Sequence, residues 1–171
     1  MRNWLRLVSG VALGATLMLP VATAESATTS PSRCVSSQMH VSRGEPSGAA
    51  GTIYYPIVFT NAGGTCVLWG VPSVQPVTAR RRPVGPRASS VSVGMLPARH
   101  VLRHGQAVSD PFGVAETGNY PASLCAAKSA AGIVVTLAPF VRSTYVRLPI
   151  SVCTKQASTR TALVVAGRTG A

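Results

Sequence analysis

The sequence predicts an all-β chain, a two-sheet sandwich built from about eight short strands. Three observations carry that expectation. Between Gly51 and Pro72, two apolar runs rich in β-branched and aromatic residues flank the turn-forming cluster Asn61-Ala62-Gly63-Gly64. The chain is punctuated throughout by 16 Gly and 13 Pro. No segment longer than two turns repeats its apolar residues at the helical period.

Taken in order, Cys34 to Val41 predicts a first strand, with Met39 and Val41 alternating against Gln38 and His40. Gly44 to Gly48 is a turn. In the next strand Ile53, Tyr55, Ile57 and Phe59 project to one face, because successive side chains alternate. Cys66 to Trp69 is then the returning arm of a hairpin. Val74 to Val77 contains Pro76 and is expected at a sheet edge. A basic loop, Ala79 to Arg87, follows, and Ser89 to Val93 alternates Ser with Val. Val101 to Val108 and Phe112 to Ala115 are weaker strands around Gly105 and the Asp110-Pro111 turn. Ile133 to Leu137 is a continuous apolar run ended by Pro139. Thr144 to Ile150 sets Tyr145 and Arg147 against Val146 and Leu148, and Ala162 to Ala166 is a last strand.

Residues Met1 to Ala24 have the build of a secretory signal peptide. Arg2 and Arg6 give the positive start, Leu7 to Leu19 the apolar run, and Ala22-Thr23-Ala24 the small residues before the cut. That run is too short to span a bilayer comfortably, and no later one approaches the ~20 residues required. No cysteine lies near the cleavage site to accept lipid. Residues 25–33 are then a flexible leader, 34–166 the β-sandwich domain and 167–171 a polar tail. Hydrophobic residues make up 46% and charged residues 12%, enough apolar material for a real core. The charge is lopsided, 16 Lys and Arg against 4 Asp and Glu. Export makes disulfides the expected state of Cys34, Cys66, Cys125 and Cys153. Four cysteines allow three pairings. The sequential one closes loops of roughly 30 residues, each worth ~3.5–4 kcal/mol in the chain-entropy model. A zinc site is not expected, because close cysteine pairs are absent.

Several motifs, in this order, resemble one family. They are the first cysteine, Gly48-Ala49-Ala50-Gly51, Tyr54-Tyr55-Pro56, Phe59-Thr60-Asn61, a Gly-Gly-Thr-Cys turn and Gly70-Val71-Pro72. Tyr120-Pro121, Cys125, Ala131 to Val135 and Pro149 to Cys153 continue the series. Together they are similar to the actinobacterial secreted domain of unknown function 4232, over about Arg33 to Val165. The resemblance implies an immunoglobulin-like sandwich with sequential disulfides in a secreted or cell-envelope setting. It carries over no catalytic residues. Many members are lipoproteins, and this chain lacks the cysteine that would accept the lipid.

Chemistry is sparsely marked. The four carboxylates, Glu25, Glu45, Asp110 and Glu116, are expected to be solvated loop side chains beside abundant arginine. Nothing in the sequence brings two together as glycoside hydrolysis would need. His100 and His104 are expected to be exposed residues bordering a strand, without the third ligand a metal site needs. No nucleophile elbow and no Cys-x-x-Cys are present. Trp69, near Cys66, is expected to pack in the core against a disulfide. These absences point to a non-enzymatic chain without cofactors, an envelope hydrolase or a passive subunit recruited by a protein partner being the alternatives. One feature has a direct physical implication. Arg80, Arg81, Arg82 and Arg87 cluster guanidinium groups, whose planar fork suits phosphate or carboxylate. An anionic envelope polymer or lipid head group is the expected partner. Nucleic acid is not, because 5% aromatic residues leave few platforms on which bases could stack.

Overall fold

In the computed structural model, which describes residues 30–170, the strands follow in chain order. They are β1 (Met39–Arg43), β2 (Ser47–Ala49), β3 (Thr52–Asn61), β4 (Cys66–Leu68), β5 (Ser73–Val77) and β6 (Ser89–Ser90). Then come β7 (His100–Leu102), β8 (Ala107–Ala115), a helical turn α1 (Ala122–Cys125), β9 (Ala127–Leu137), β10 (Val141–Cys153), β11 (Thr159–Thr161) and β12 (Val165–Ala166). The predicted signal peptide and most of the leader lie outside the described residues.

The frame is mostly β, and its ladders form three sheets rather than two. The first runs β1-β3-β8-β11-β6, with β2 also pairing with β3 and β12 with β8; β10-β9-β5 make the second and β4-β7 the third. The spine is the antiparallel pair β3 and β8, matched from Thr52↔Ala115 to Thr60↔Ala107. Directly opposite residues of such a pair share a face. Tyr55 and Phe112, Ile57 and Asp110, and Phe59 and Val108 therefore point the same way, into the core. From the second sheet Val74, Ile133, Val135, Leu137, Val146 and Leu148 meet them, and from the third Leu68 and Leu102. One core is thus shared by all three sheets. Burying each large aliphatic or aromatic side chain contributes about 1.5–3 kcal/mol.

Prolines fall where the ladder can do without their N–H. Pro56 accepts a bond from Gly44 N–H at 2.7 Å but has none to return, and β1 ends at Arg43. Pro111 falls between the part of β8 paired to β12 and the part paired to β11. Pro149 sits in a register shift of β9 and β10, where a missing donor breaks no ladder bond. Two disulfides close the frame. Cys34–Cys66 ties the segment before β1 to β4, and Cys125–Cys153 ties α1 to the end of β10. The sequential pairing implied by the resemblance is the one formed.

The structure corrects several expectations. β3 and β4 are not a hairpin. The Asn61 amide donates to Gly64 O at 2.8 Å and Leu102 O at 2.9 Å, while its carbonyl accepts Gly63 N–H at 2.9 Å. These bonds turn the chain out of the first sheet, and β4 pairs with β7. A 3-10 turn, Ser36–Gln38, replaces the start of the first predicted strand. Asp110-Pro111 is the middle of β8, not a turn. In Ser89 to Val93 only two residues are strand, and the alternation is inverted: Ser92 is buried while Val93 is 85% exposed. Ser92 Oγ accepts Leu163 N–H at 2.9 Å, so a polar side chain is needed inside. The predicted tail is tied to β8 by Gly167 N–H on Ala107 O at 3.0 Å and Gly170 N–H on Ser109 Oγ at 2.9 Å.

Candidate functional site

The basic loop is an edge cover. β5 pairs only with β9, leaving its other side open, and the loop folds back along it. Thr78 N–H bonds Arg82 O at 2.8 Å, Val84 N–H bonds Pro76 O at 2.9 Å and Ala88 N–H bonds Val74 O at 2.9 Å. This satisfies strand groups that would otherwise invite edge-to-edge pairing. Val84 is buried as the plug, and Gly85 lies so close to the Cys153 carbonyl that any Cβ there would collide with it. Arg81 adopts φ 58°, uncommon for a side-chain-bearing residue, within a turn closed by its own N–H on Thr78 O at 2.8 Å.

The fold leaves the four arginines exposed. The Arg81 guanidinium lies over the Tyr145 ring, 5.4 Å from its centroid, and Arg87 Nη1 donates to Ser73 Oγ at 2.6 Å. Ser73, Gln75, Val134 and Tyr145 belong to the outward side of the second sheet, so both arginines come to that face. Arg147, two residues beyond Tyr145, shares it and is exposed. Tyr145 itself lies over Gly132, the one residue type whose missing Cβ leaves room for the ring. Arg80 and Arg82 flank Arg81 in the exposed turn. Arg147 was missed from sequence, although its alternation with Val146 and Leu148 already placed it outward.

A second cationic grouping surrounds Trp69. Trp69 is half-buried at the rim of the core and packs edge-on against Phe140, with ring centroids 4.4 Å apart. The Arg99 guanidinium lies 4.1 Å from its ring centroid and that of Arg33 lies 5.8 Å away. Core packing of Trp69 therefore holds for one side only. Arg33 and Arg99 stand far apart in sequence, and no local spacing signals their meeting on one ring. On the outer side of the first sheet, Arg160 lies over Tyr54 and bonds its hydroxyl.

Asp110 is fully buried, which overturns its expected place on a solvated loop. Its Oδ1 accepts Ala162 N–H at 2.8 Å, while Oδ2 has no hydrogen-bond partner. Burial pushes its pKa from 3.8 up to about 8, against the opposing effect of that backbone bond. Glu45 and Glu116 are exposed and line different depressions. No two of these carboxylates face each other across a cavity. His100 Nε2 lies 3.0 Å from Val164 O, while His104 is exposed in the turn after β7. Among the described residues no group of three His, Cys, Asp or Glu is placed to hold a metal ion. No helix there is long and apolar enough to cross a membrane.

Two disulfides on a mostly β frame define a class, the disulfide-stabilised domain, whose chemistry suits an oxidising compartment. Residues 34–167 match the family model described as Domain of unknown function (DUF4232), and the chain belongs to that family. The motifs from Cys34 to Cys153 that resemble it fall inside the matched span. No curated protein and no solved structure matches the chain.

Proposed function

We propose that the chain is an exported, non-enzymatic domain of the cell envelope that binds anionic material there, polymer or lipid head groups, through Arg80, Arg81, Arg82 and Arg87. The observation that carries this reading is the presentation of these arginines. They are exposed, and Arg81 and Arg87 are steadied by a neutral ring and a neutral hydroxyl instead of a carboxylate. Several clustered guanidinium groups can bind one anion through charge-assisted bonds that diffuse charge cannot provide. Export draws support from the signal-peptide pattern and the two disulfides. The core common to the three sheets supports an immunoglobulin-like sandwich, with β4 and β7 as a corner of its second layer. The separate surroundings of Glu45, Asp110 and Glu116 favour a binding role over a hydrolase.

The test compares the wild type with a variant carrying Arg→Ser at all four positions, and with a control losing four arginines elsewhere. Retention on anionic vesicles and envelope polysaccharide is measured at about 0.15 M salt, where exposed charges are screened beyond ~8 Å. The loop variant should lose retention and the control should keep most of it. Equal loss in both would leave net charge as the whole explanation.

A second reading, a structural subunit recruited by a protein partner, is favoured by one observation. Val91, Val93, Met95 and Leu96 are all exposed, Leu96 at 93%. Apolar residues gathered on a surface mark association sites. Under that reading, capture from envelope fractions survives raised salt and fails when Val93 and Leu96 are made serine.

A further inference from the structure

We propose a second, discrete site: the open pocket between the β7–β8 turn and the segment after β12 binds a phosphate group carried on a small polyol. The pocket encloses about 530 Å³, and its lining includes Arg99, His100, Leu102, Gln106, Val108 and Arg168. That volume lies within the range of small-molecule sites, roughly 300–1,000 Å³. None of the three carboxylates in the described chain lines it.

Its two guanidinium groups are placed in advance by neutral partners. Arg99 is held against the Trp69 ring at 4.1 Å, and Arg168 Nη2 donates to Gly105 O at 3.3 Å. His100 also lines the pocket, and its Nε2 lies 3.0 Å from Val164 O, so Nε2 carries a proton and donates it. Arg99 and Arg168 line one pocket that holds no carboxylate, although Arg168 also borders the depression of Glu45, and a guanidinium grips phosphate oxygens through paired bonds. Each arginine already has a resting contact, which lowers the side-chain freedom lost when the anion arrives. The exposed Val101 and the neighbouring Ala107 add apolar surface, and Gln106 a polar group, suited to a short carbon skeleton bearing hydroxyls. Arg80, Arg81, Arg82 and Arg87 do not line this pocket, so the site stands or falls apart from the loop.

An NMR titration of the disulfide-bonded protein with glycerol 3-phosphate, inorganic phosphate and neutral glycerol tests it. Glycerol 3-phosphate should give saturable amide shifts centred on Gly105, Gln106 and Gly167, and inorganic phosphate the same shifts with weaker affinity. Arg168→Gln should weaken binding about tenfold or more, while the four-serine loop variant binds as the wild type does. Arg168 is exposed, so this variant is expected to fold, and retained spectral dispersion verifies that; Arg99→Gln serves as the second lesion. Competition between glycerol 3-phosphate and vesicles of phosphatidylglycerol would mark a lipid head group as the source, and lack of competition a soluble phosphate. Saturation by glycerol alone, shifts without a local centre, or unchanged affinity in Arg168→Gln would overturn the proposal.

Discussion

Asp110 occupies a place that a β core normally gives to an aliphatic residue, between Val108 and Phe112 on β8 and opposite Ile57 on β3. The compensation is local. Between β11 and β12 the chain leaves the ladder, and the freed Ala162 N–H finds its acceptor in Asp110 Oδ1. A buried N–H without a partner would cost about 1–3 kcal/mol, so the carboxyl joins the two short strands to the spine. Its second oxygen has no partner, and burial raises the pKa to about 8. The folded chain therefore holds the proton more tightly than the unfolded chain does. The stability this confers is complete below pH 3.8 and is lost as pH rises through about 8. Each pH unit inside that window changes stability by about 1.4 kcal/mol. Asp110→Asn keeps the acceptor and removes the charge. Urea unfolding of the wild type should show stability falling from acid to mildly alkaline pH. The variant should show a flatter profile and greater stability at the alkaline end, and parallel profiles would refute this account.

At the scale of elements, what could be read from sequence was whatever local pattern alone decides. The run Ile133 to Leu137 and the alternation from Thr144 to Ile150 became β9 and β10, and Pro76 placed β5 at an edge. Two of the misreadings share one cause, a backbone group far along the chain that claims a side chain. Leu102 O takes the Asn61 amide and turns an apparent hairpin into a crossing between sheets. Leu163 N–H takes Ser92 Oγ and turns a Ser-Val alternation inside out. The candidate site divides the same way. The loop arginines are adjacent in sequence and were visible, whereas Arg33 and Arg99 meet only on Trp69. The disulfides repair what short ladders lack. β4 is three residues long, and beyond β7 it pairs only with the segment at Arg33, which the Cys34–Cys66 bond fastens covalently to it. Cys66→Ala should destabilise the protein by roughly 2–5 kcal/mol, read as a lower urea midpoint. A change within about 0.5 kcal/mol, typical of an ordinary surface substitution, would show that the ladder and core hold β4 without it.

For the whole molecule, charge and compartment make one argument. The formal +12 would be hard to reconcile with a tightly neutralised fold, and the arginines here rest on neutral partners: rings, hydroxyls and carbonyls. Under the proposed function such a surface would favour solubility and attraction to anionic polymers at low salt. Both disulfides also need an oxidising space in which to form. Under the proposed export these requirements meet outside the membrane, and processing of the first 24 residues is the event that reading predicts. Arg2 and Arg6 would hold the start of the chain at the inner surface, while Leu7 to Leu19 enters the bilayer and Ala22-Thr23-Ala24 presents the cut. Cleavage after Ala24 removes two of the arginines, taking the formal charge from +12 to +10. It leaves no cysteine at the new end for a lipid to occupy, so release rather than anchoring is expected. Intact-mass measurement of the protein recovered outside the cell should give a species beginning at Glu25, four hydrogens lighter than the reduced chain because of the two disulfides. A species that still begins at Met1, or one heavier by an acyl chain, would contradict release and place the arginine-bearing faces on a tethered protein.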